Sequence, residues 1–237
     1  KSKSKPTIPS TSLVNKMMRP KHLAIELSKL IPHPCSNVEL EQYATEGDLA
    51  SYWMLGVDQL DDVVGKHVLD LCAGNGILGL GCLFIGAGHV TMVEADPLAA
   101  EVARTNCHNL KSKFSASTTV IEAFVGIDDI DVSDVDIIVM NPPWGVQSKR
   151  ADRAILQYAF NQDVESIHVL HSAKATHLES LAKEHGWEVE GVLESKFRLP
   201  PTYSHHSKGK AFTEIICWRF HRPGNSKIPI EEDDETE

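Results

Sequence analysis

Asp70-Leu71-Cys72-Ala73-Gly74-Asn75-Gly76-Ile77-Leu78-Gly79 joins an apolar stretch of strand character to a run of helical character. Its glycines, Gly74, Gly76 and Gly79, stand in G-x-G-x-x-G spacing. Glycine permits the tight turn from strand to helix and lets backbone amides approach a ligand. Outward from this turn the chain alternates. The pattern predicts strands over 67–72, 89–95, 118–125, 135–140 and 166–171, and helices over 77–85, 98–109, 151–160 and 173–185. Two further strands, 187–197 and 213–220, follow with no helix between them and so pair antiparallel. This order predicts an α/β fold: a seven-stranded, mainly parallel sheet with helices on both faces and a terminal antiparallel strand. Ahead of it, the spacing predicts a helix over 21–30, stopped by Pro32 and Pro34, and a second within 39–60. Asp48 is the expected N-cap of that second helix, with Leu49, Tyr52, Trp53 and Leu60 on its buried face.

The 237 residues suffice for one such domain with short extensions. Residues 1–38 read as an N-terminal arm, partly flexible; 39–222 as the folded domain; 223–237 as an acidic, disordered tail. No apolar run approaches the roughly 20 residues that span a bilayer, and the start has no secretion signal. A cytoplasmic location, or a nuclear one in a eukaryote, is expected, with no membrane partner. The five cysteines lack C-x-x-C spacing and read as reduced thiols. His205 and His206 are adjacent and His168 and His171 sit three apart, but no acid or cysteine completes a ligand set, so no metal is expected.

The net charge of −10 argues at first against nucleic acid. Six negative charges sit in 231–237, and without them 27 acids face 23 bases, a balance of −4. Over 196–222 there are six Lys or Arg residues and one acid, Glu214; Lys149, Arg150 and Arg153 form a second basic group, offset by Asp152. Each reads either as a solvated loop or as phosphate contact.

Glu94 lies 24 residues beyond Asp70, at the end of the second strand, where a carboxylate can accept both hydroxyls of a ribose diol. A nicotinamide dinucleotide is one candidate ligand. Asp70 argues against it, because an acid ahead of the turn repels a pyrophosphate and welcomes a cationic sulfonium and ammonium. The turn also lacks a glycine directly after the strand.

The buried fourth strand runs into Asn141-Pro142-Pro143-Trp144. This places an amide, two rigid rings and an aromatic face at a strand's carboxyl end, where open α/β sheets bind ligands. The Asn141 side-chain oxygen and the Pro142 carbonyl can each accept a hydrogen bond from one exocyclic amine, freeing its lone pair. Trp144 can stack on the base for roughly 1–3 kcal/mol. Pro142 and Pro143 pre-set the backbone. A loop with a packed tryptophan is the bland alternative.

Together these elements resemble motifs I, II and IV of the S-adenosylmethionine-dependent amino-methyltransferases and their class I, Rossmann-like fold. A narrower resemblance rests on Glu41-Gln42-Tyr43-Ala44-Thr45, about 25 residues ahead of the glycine turn, and on Leu199-Pro200-Pro201-Thr202-Tyr203. Both are similar to elements of the methyltransferase-like 5 family, which makes N6-methyladenosine in small-subunit ribosomal RNA; the likeness runs over roughly 39–220. It implies that Gln42 and Thr45 touch the cofactor's amino-acid end, that Asp70, Cys72, Gly74, Asn75, Gly76 and Ile77 form its glycine turn, and that Glu94 holds the ribose. Ala123 and Phe124 then line the adenine, in a region where the family carries an acid. Ala44 replaces the family's proline and Trp144 its phenylalanine. Implied RNA contacts are Lys149, Arg150, Arg153, Lys196, Arg198, Tyr203, His205, His206, Lys208 and Lys210. The resemblance also implies a small zinc-binding activator protein that adds a strand beside the third strand, whose Thr118-Thr119-Val120-Ile121 is β-prone and uncharged; cover by the chain's own arm is the alternative. Motif IV alone leaves open a DNA adenine or a protein glutamine as acceptor, and a non-catalytic RNA-binding scaffold is the reading from another class.

Overall fold

The computed structural model describes residues 18–35, 37, 40–131, 133–145, 150–198 and 212–227. Seven strands form one sheet: β1 (His67–Leu71), β2 (His89–Glu94), β3 (Ser117–Glu122), β4 (Ile137–Met140), β5 (Ser166–Ser172), β6 (Glu188–Arg198) and β7 (Phe212–His221). Their order is β3-β2-β1-β4-β5-β7-β6. The first five run parallel, and β7, the last in the chain, inserts antiparallel between β5 and β6. The helices are α1 (Pro20–Leu27), α2 (Gly47–Asp61), α3 (Ile77–Ile85), α4 (Pro97–Leu110), α5 (Ala151–Phe160) and α6 (His177–Glu184). This is the class I methyltransferase arrangement.

Side-chain alternation along the central strands builds two cores. Val68, Ile137 and Val139 face Trp53, Met54 and Leu80 of α2 and α3. Leu69, Leu71, Ile138 and Met140 face Leu156, Phe160 and Leu178 of α5 and α6. Helices cover both faces, so β4 reads as an unbroken apolar run, Ile137-Ile138-Val139-Met140.

Three local expectations are corrected. The N-cap of α2 is Glu46, without a side-chain cap bond, and Asp48 sits inside the first turn, where its charge still suits the helix's positive end. The buried face of α2 is Ala50, Trp53, Met54 and Val57, whereas Tyr52 is 61% exposed; at about 100° per residue it points away from the stripe that Trp53 follows. The sixth helix begins at His177, four residues later than its composition suggests.

The arm is not detached over its described part. Leu23, Ala24 and Leu27 of α1 are buried, and Leu23 and Leu27 belong to the α2–α3 core. Beyond α1, the Ile31 amide donates to Asn106 Oδ1 at 2.9 Å while its carbonyl accepts from Asn75 Nδ2 at 3.0 Å. On the far side, Asp61 at the end of α2 takes Arg219 Nη2 on Oδ1 at 2.7 Å and Arg219 Nε on Oδ2 at 2.8 Å, with His168 Nε2 also 2.7 Å from Oδ2. Arg219 Nη1 donates to Glu190 Oε2 at 3.0 Å. Burial would raise the Asp61 carboxyl, but Arg219 and His168 hold it far below the usual carboxylate range.

Candidate active site

Strand register sets the site. Leu71 of β1 pairs with Met140 of β4, so Cys72 and Asn141 leave the sheet side by side at its carboxyl edge. A cleft of about 280 Å³ opens there, over the ends of β1, β2 and β4.

Its floor is the glycine turn. Cys72 (φ +58°), Gly74 (φ +57°) and Gly76 (φ +83°) carry the chain through left-handed conformations into α3. Glu94, at the end of β2, accepts the Gly74 amide on Oε2 at 2.7 Å and the Asp96 amide on Oε1 at 2.9 Å. It therefore braces the turn at the border of the cleft. Burial raises its pKa, against the pull of these amides. Cys72, Asn75 and Ile77 border the cleft as expected. Gly76 shapes the turn but does not border it.

Asp70 is corrected. Its side chain is fully buried under the turn, where Oδ2 accepts the Gly79 amide at 2.8 Å. Burial, with Glu94 nearby, pushes its carboxyl up to about 8. Burial favours its neutral form and it does not border the cleft, so the charge argument built on it loses its support. A Cβ at Gly79 would fall 2.8 Å from Val90 and 3.1 Å from the Asp70 carboxyl, so the third glycine serves this packing.

The segment ahead of α2 closes one wall. Gln42 donates to Asp96 and accepts the Asn37 amide at 2.9 Å, and Thr45 borders the cleft. His33, missed from sequence because nothing local marks it, lies over the turn: a Cβ on Gly74 would sit 2.5 Å from its ring. Its Nδ1 accepts the Cys35 amide at 2.9 Å, so the proton resides on Nε2. Burial lowers its pKa. At the far end Ala123 lines the cleft beside Phe124 and Ile127, exposed by 47% and 79%. Ile127 was also missed.

Asn141 and Pro143 border the cleft; Pro142 is buried and does not. Asn141 Nδ2 donates to Thr45 Oγ1 at 3.1 Å and to the Tyr43 carbonyl at 3.4 Å. Trp144 departs from expectation. Its indole is 8% exposed and offers no free face. Tyr43 covers it at 5.2 Å, His171 stacks on it at 5.9 Å and Phe197 meets it edge-on at 5.2 Å. It borders not the cleft but a neighbouring pocket of about 430 Å³, with Arg150, Arg153 and His177.

The expectation that no acid accompanies His171 is also overturned. Asp152 Oδ2 lies 3.1 Å from His171 Nε2 and 2.6 Å from His177 Nε2, and the three side chains gather within metal-ligand spacing. Hydrogen bonding accounts for the cluster. His171 Nδ1 accepts the Ser172 amide at 2.9 Å, so Nε2 carries the proton and donates to Asp152 rather than offering a lone pair to an ion. Burial opposes ionisation of Asp152, but the two imidazoles hold its carboxyl below the usual range.

Of the expected RNA contacts, Arg150, Arg153 and Lys196 are exposed. Lys149, Tyr203, His205, His206, Lys208, Lys210 and the Arg198 side chain lie outside the described residues. Two bases of the 196–222 stretch serve structure instead: Arg219 is buried, and Arg222 lies over the Trp187 ring at 3.9 Å.

Residues 52–187 match the family model described as Conserved hypothetical protein 95. The crystal structure of a candidate RNA methyltransferase from Pyrococcus horikoshii is similar with a TM-score of 0.76 and 36% identity, covering 87% of this chain and 98% of that one. The rRNA N(6)-adenosine-methyltransferase METTL5 of Danio rerio is 26% identical over 185 residues, 76% of this chain and 88% of the relative. An uncharacterized protein of Methanocaldococcus jannaschii is 26% identical over 217 residues, 88% and 96% of the two chains.

Proposed function

We propose a function for this chain from one premise: it belongs to the conserved hypothetical protein 95 family. Its reaction is transfer of a methyl group from S-adenosylmethionine to N6 of an adenosine in RNA, with small-subunit ribosomal RNA as the substrate. The observation that carries the reading is the Leu71–Met140 register, which sets the glycine turn beside Asn141.

The residues present fit the cofactor. Glu94 borders the cleft with a carboxylate of the kind that accepts from a ribose diol, and Phe124 and Ile127 offer apolar surface for an adenine. When bound, the cofactor supplies an electrophilic methyl on a sulfonium. The chain's own work is to place the amine. Asn141 Oδ1 and the Pro142 carbonyl each accept a hydrogen bond from one of its two N–H groups, drawing the nitrogen lone pair out of the ring and aligning it for in-line attack. The cationic product then loses a proton to solvent, which needs no dedicated base. Arg150, Arg153 and Lys196 favour the phosphate backbone, as do the basic residues outside the described part.

The same reading includes a small zinc-binding activator that adds a strand to β3. In support, β3 is an edge strand, and its first three residues are exposed and uncharged. The arm helix α1 packs on α2 and α3 rather than on β3. Equal solubility and monodispersity with and without a co-expressed activator would count against this partner. We place the enzyme in the cytoplasm, or the nucleus of a eukaryote: the five cysteines are all free thiols, and among the described residues no helix is long and apolar enough to cross a membrane.

Transfer of labelled methyl onto total RNA, followed by nucleoside analysis, tests the function. Label in N6-methyladenosine of the small-subunit RNA is expected. Label in DNA or in protein glutamine, or none anywhere, would overturn the substrate assignment.

A further inference from the structure

The oxygen assigned to the target amine is already engaged. Trp144 donates its indole N–H to Asn141 Oδ1 at 3.2 Å. Both ends of the amide agree on this orientation. An indole N–H can only donate and a backbone carbonyl can only accept, so Oδ1 must face Trp144 and Nδ2 must face Tyr43. The indole is held in place by Tyr43, His171 and Phe197. His171 is itself fixed, its Nδ1 by the Ser172 amide and its Nε2 by Asp152.

We propose that Trp144 is a resting cap on Asn141: its N–H fills the acceptor until a base brings an amine that displaces it. This rests on the methyl-transfer reading and adds a step to it. A half-buried acceptor left unpaired is unfavourable, so the cap keeps Asn141 satisfied and correctly turned between catalytic cycles. Exchange of one N–H donor for another is nearly balanced, so an adenine amine can take the place of the indole. The cap therefore weakens substrate binding while it keeps water off the acceptor. The 430 Å³ pocket that Trp144 borders gives the indole room to withdraw. A phenyl ring at this position would keep the aromatic surface and supply no cap.

The experiment pairs Trp144→Phe with two RNA probes. Both are the fragment that the labelling experiment identifies, one with adenosine and one with purine riboside, which lacks the amine, at the methylated position. Without the cap, adenosine no longer competes with an internal donor. The preference for the adenosine probe over the purine probe should rise about threefold to tenfold in the variant. Any loss of stacking area weakens both probes alike and cancels from the ratio. An unchanged or smaller ratio overturns the cap.

A second readout needs no substrate turnover. The Trp144 indole proton, identified by its absence in Trp144→Phe, should exchange with solvent at least about tenfold more slowly in the wild-type chain than in Asn141→Ala. Equal exchange also overturns the cap. A wild-type chain that shows slow exchange yet methylates no RNA would instead sink the proposed reaction.

Discussion

Thr45 Oγ1 accepts a hydrogen bond from Asn141 Nδ2 at 3.1 Å, tying the segment ahead of α2 to the end of β4 across 96 residues of sequence. The other acceptor for that nitrogen, the Tyr43 carbonyl, lies at 3.4 Å. Thr45→Val keeps the shape and removes the nearer acceptor, so Asn141 should be less firmly turned. We expect single-turnover methyl transfer to slow about fivefold to tenfold, the effect of one hydrogen bond, and Thr45→Ser to restore it. A Val variant as fast as the parent would show that Thr45 does not orient the amide.

Asn141→Ala removes the acceptor itself. Loss of a preorganised group that acts on the reacting atom reduces turnover by at least about 100-fold. Calorimetric titration should still register S-adenosylmethionine, because Glu94 and the glycine turn are untouched. Loss of cofactor binding in step with activity would mean that Asn141 supports the cleft rather than the amine.

Gly74 and His33 make a linked pair. Gly74→Ala places a Cβ 2.5 Å from the His33 ring, on a backbone with φ +57°. The left-handed conformation alone disfavours alanine by about 1–2 kcal/mol. Cofactor affinity should fall roughly tenfold, and part of that loss should return in Gly74→Ala/His33→Ala, where the collision is gone. No recovery in the double variant would place the whole effect in the backbone.

The β–α alternation was legible because buried parallel strands leave unbroken apolar runs such as 137–140, and α3 and α5 were bounded from sequence as they stand in the fold. That the glycine turn, Glu94 and Asn141 border one cleft was legible because the alternation fixes where each strand ends. What failed depends on contacts between distant segments. Asp70 was taken for a ligand-facing acid, yet it is sealed beneath Gly79. Trp144 looked like an open stacking face, but Tyr43, His171 and Phe197, from three other parts of the chain, cover it. Arg219 counted as a surface base until the fold paired it with Asp61, 158 residues away.

That last pair sets a pH-dependent test. Arg219→Met leaves the Asp61 carboxylate buried with only His168 beside it, which should destabilise the fold by about 3–5 kcal/mol at neutral pH. In the parent, the folded Asp61 pKa lies well below its unfolded value of about 3.9. The stability it contributes is therefore fully present above that value and drains away as pH falls through it towards the folded pKa. In the variant the arginine no longer opposes burial, so Asp61 takes up a proton more readily and the folded state tolerates acid better. Urea denaturation at pH 7, 5 and 3 should show the gap between the two chains narrowing towards pH 3. A gap of constant size across that range would mean that Arg219 acts through packing and its bond to Glu190, with the Asp61 charge irrelevant to the loss.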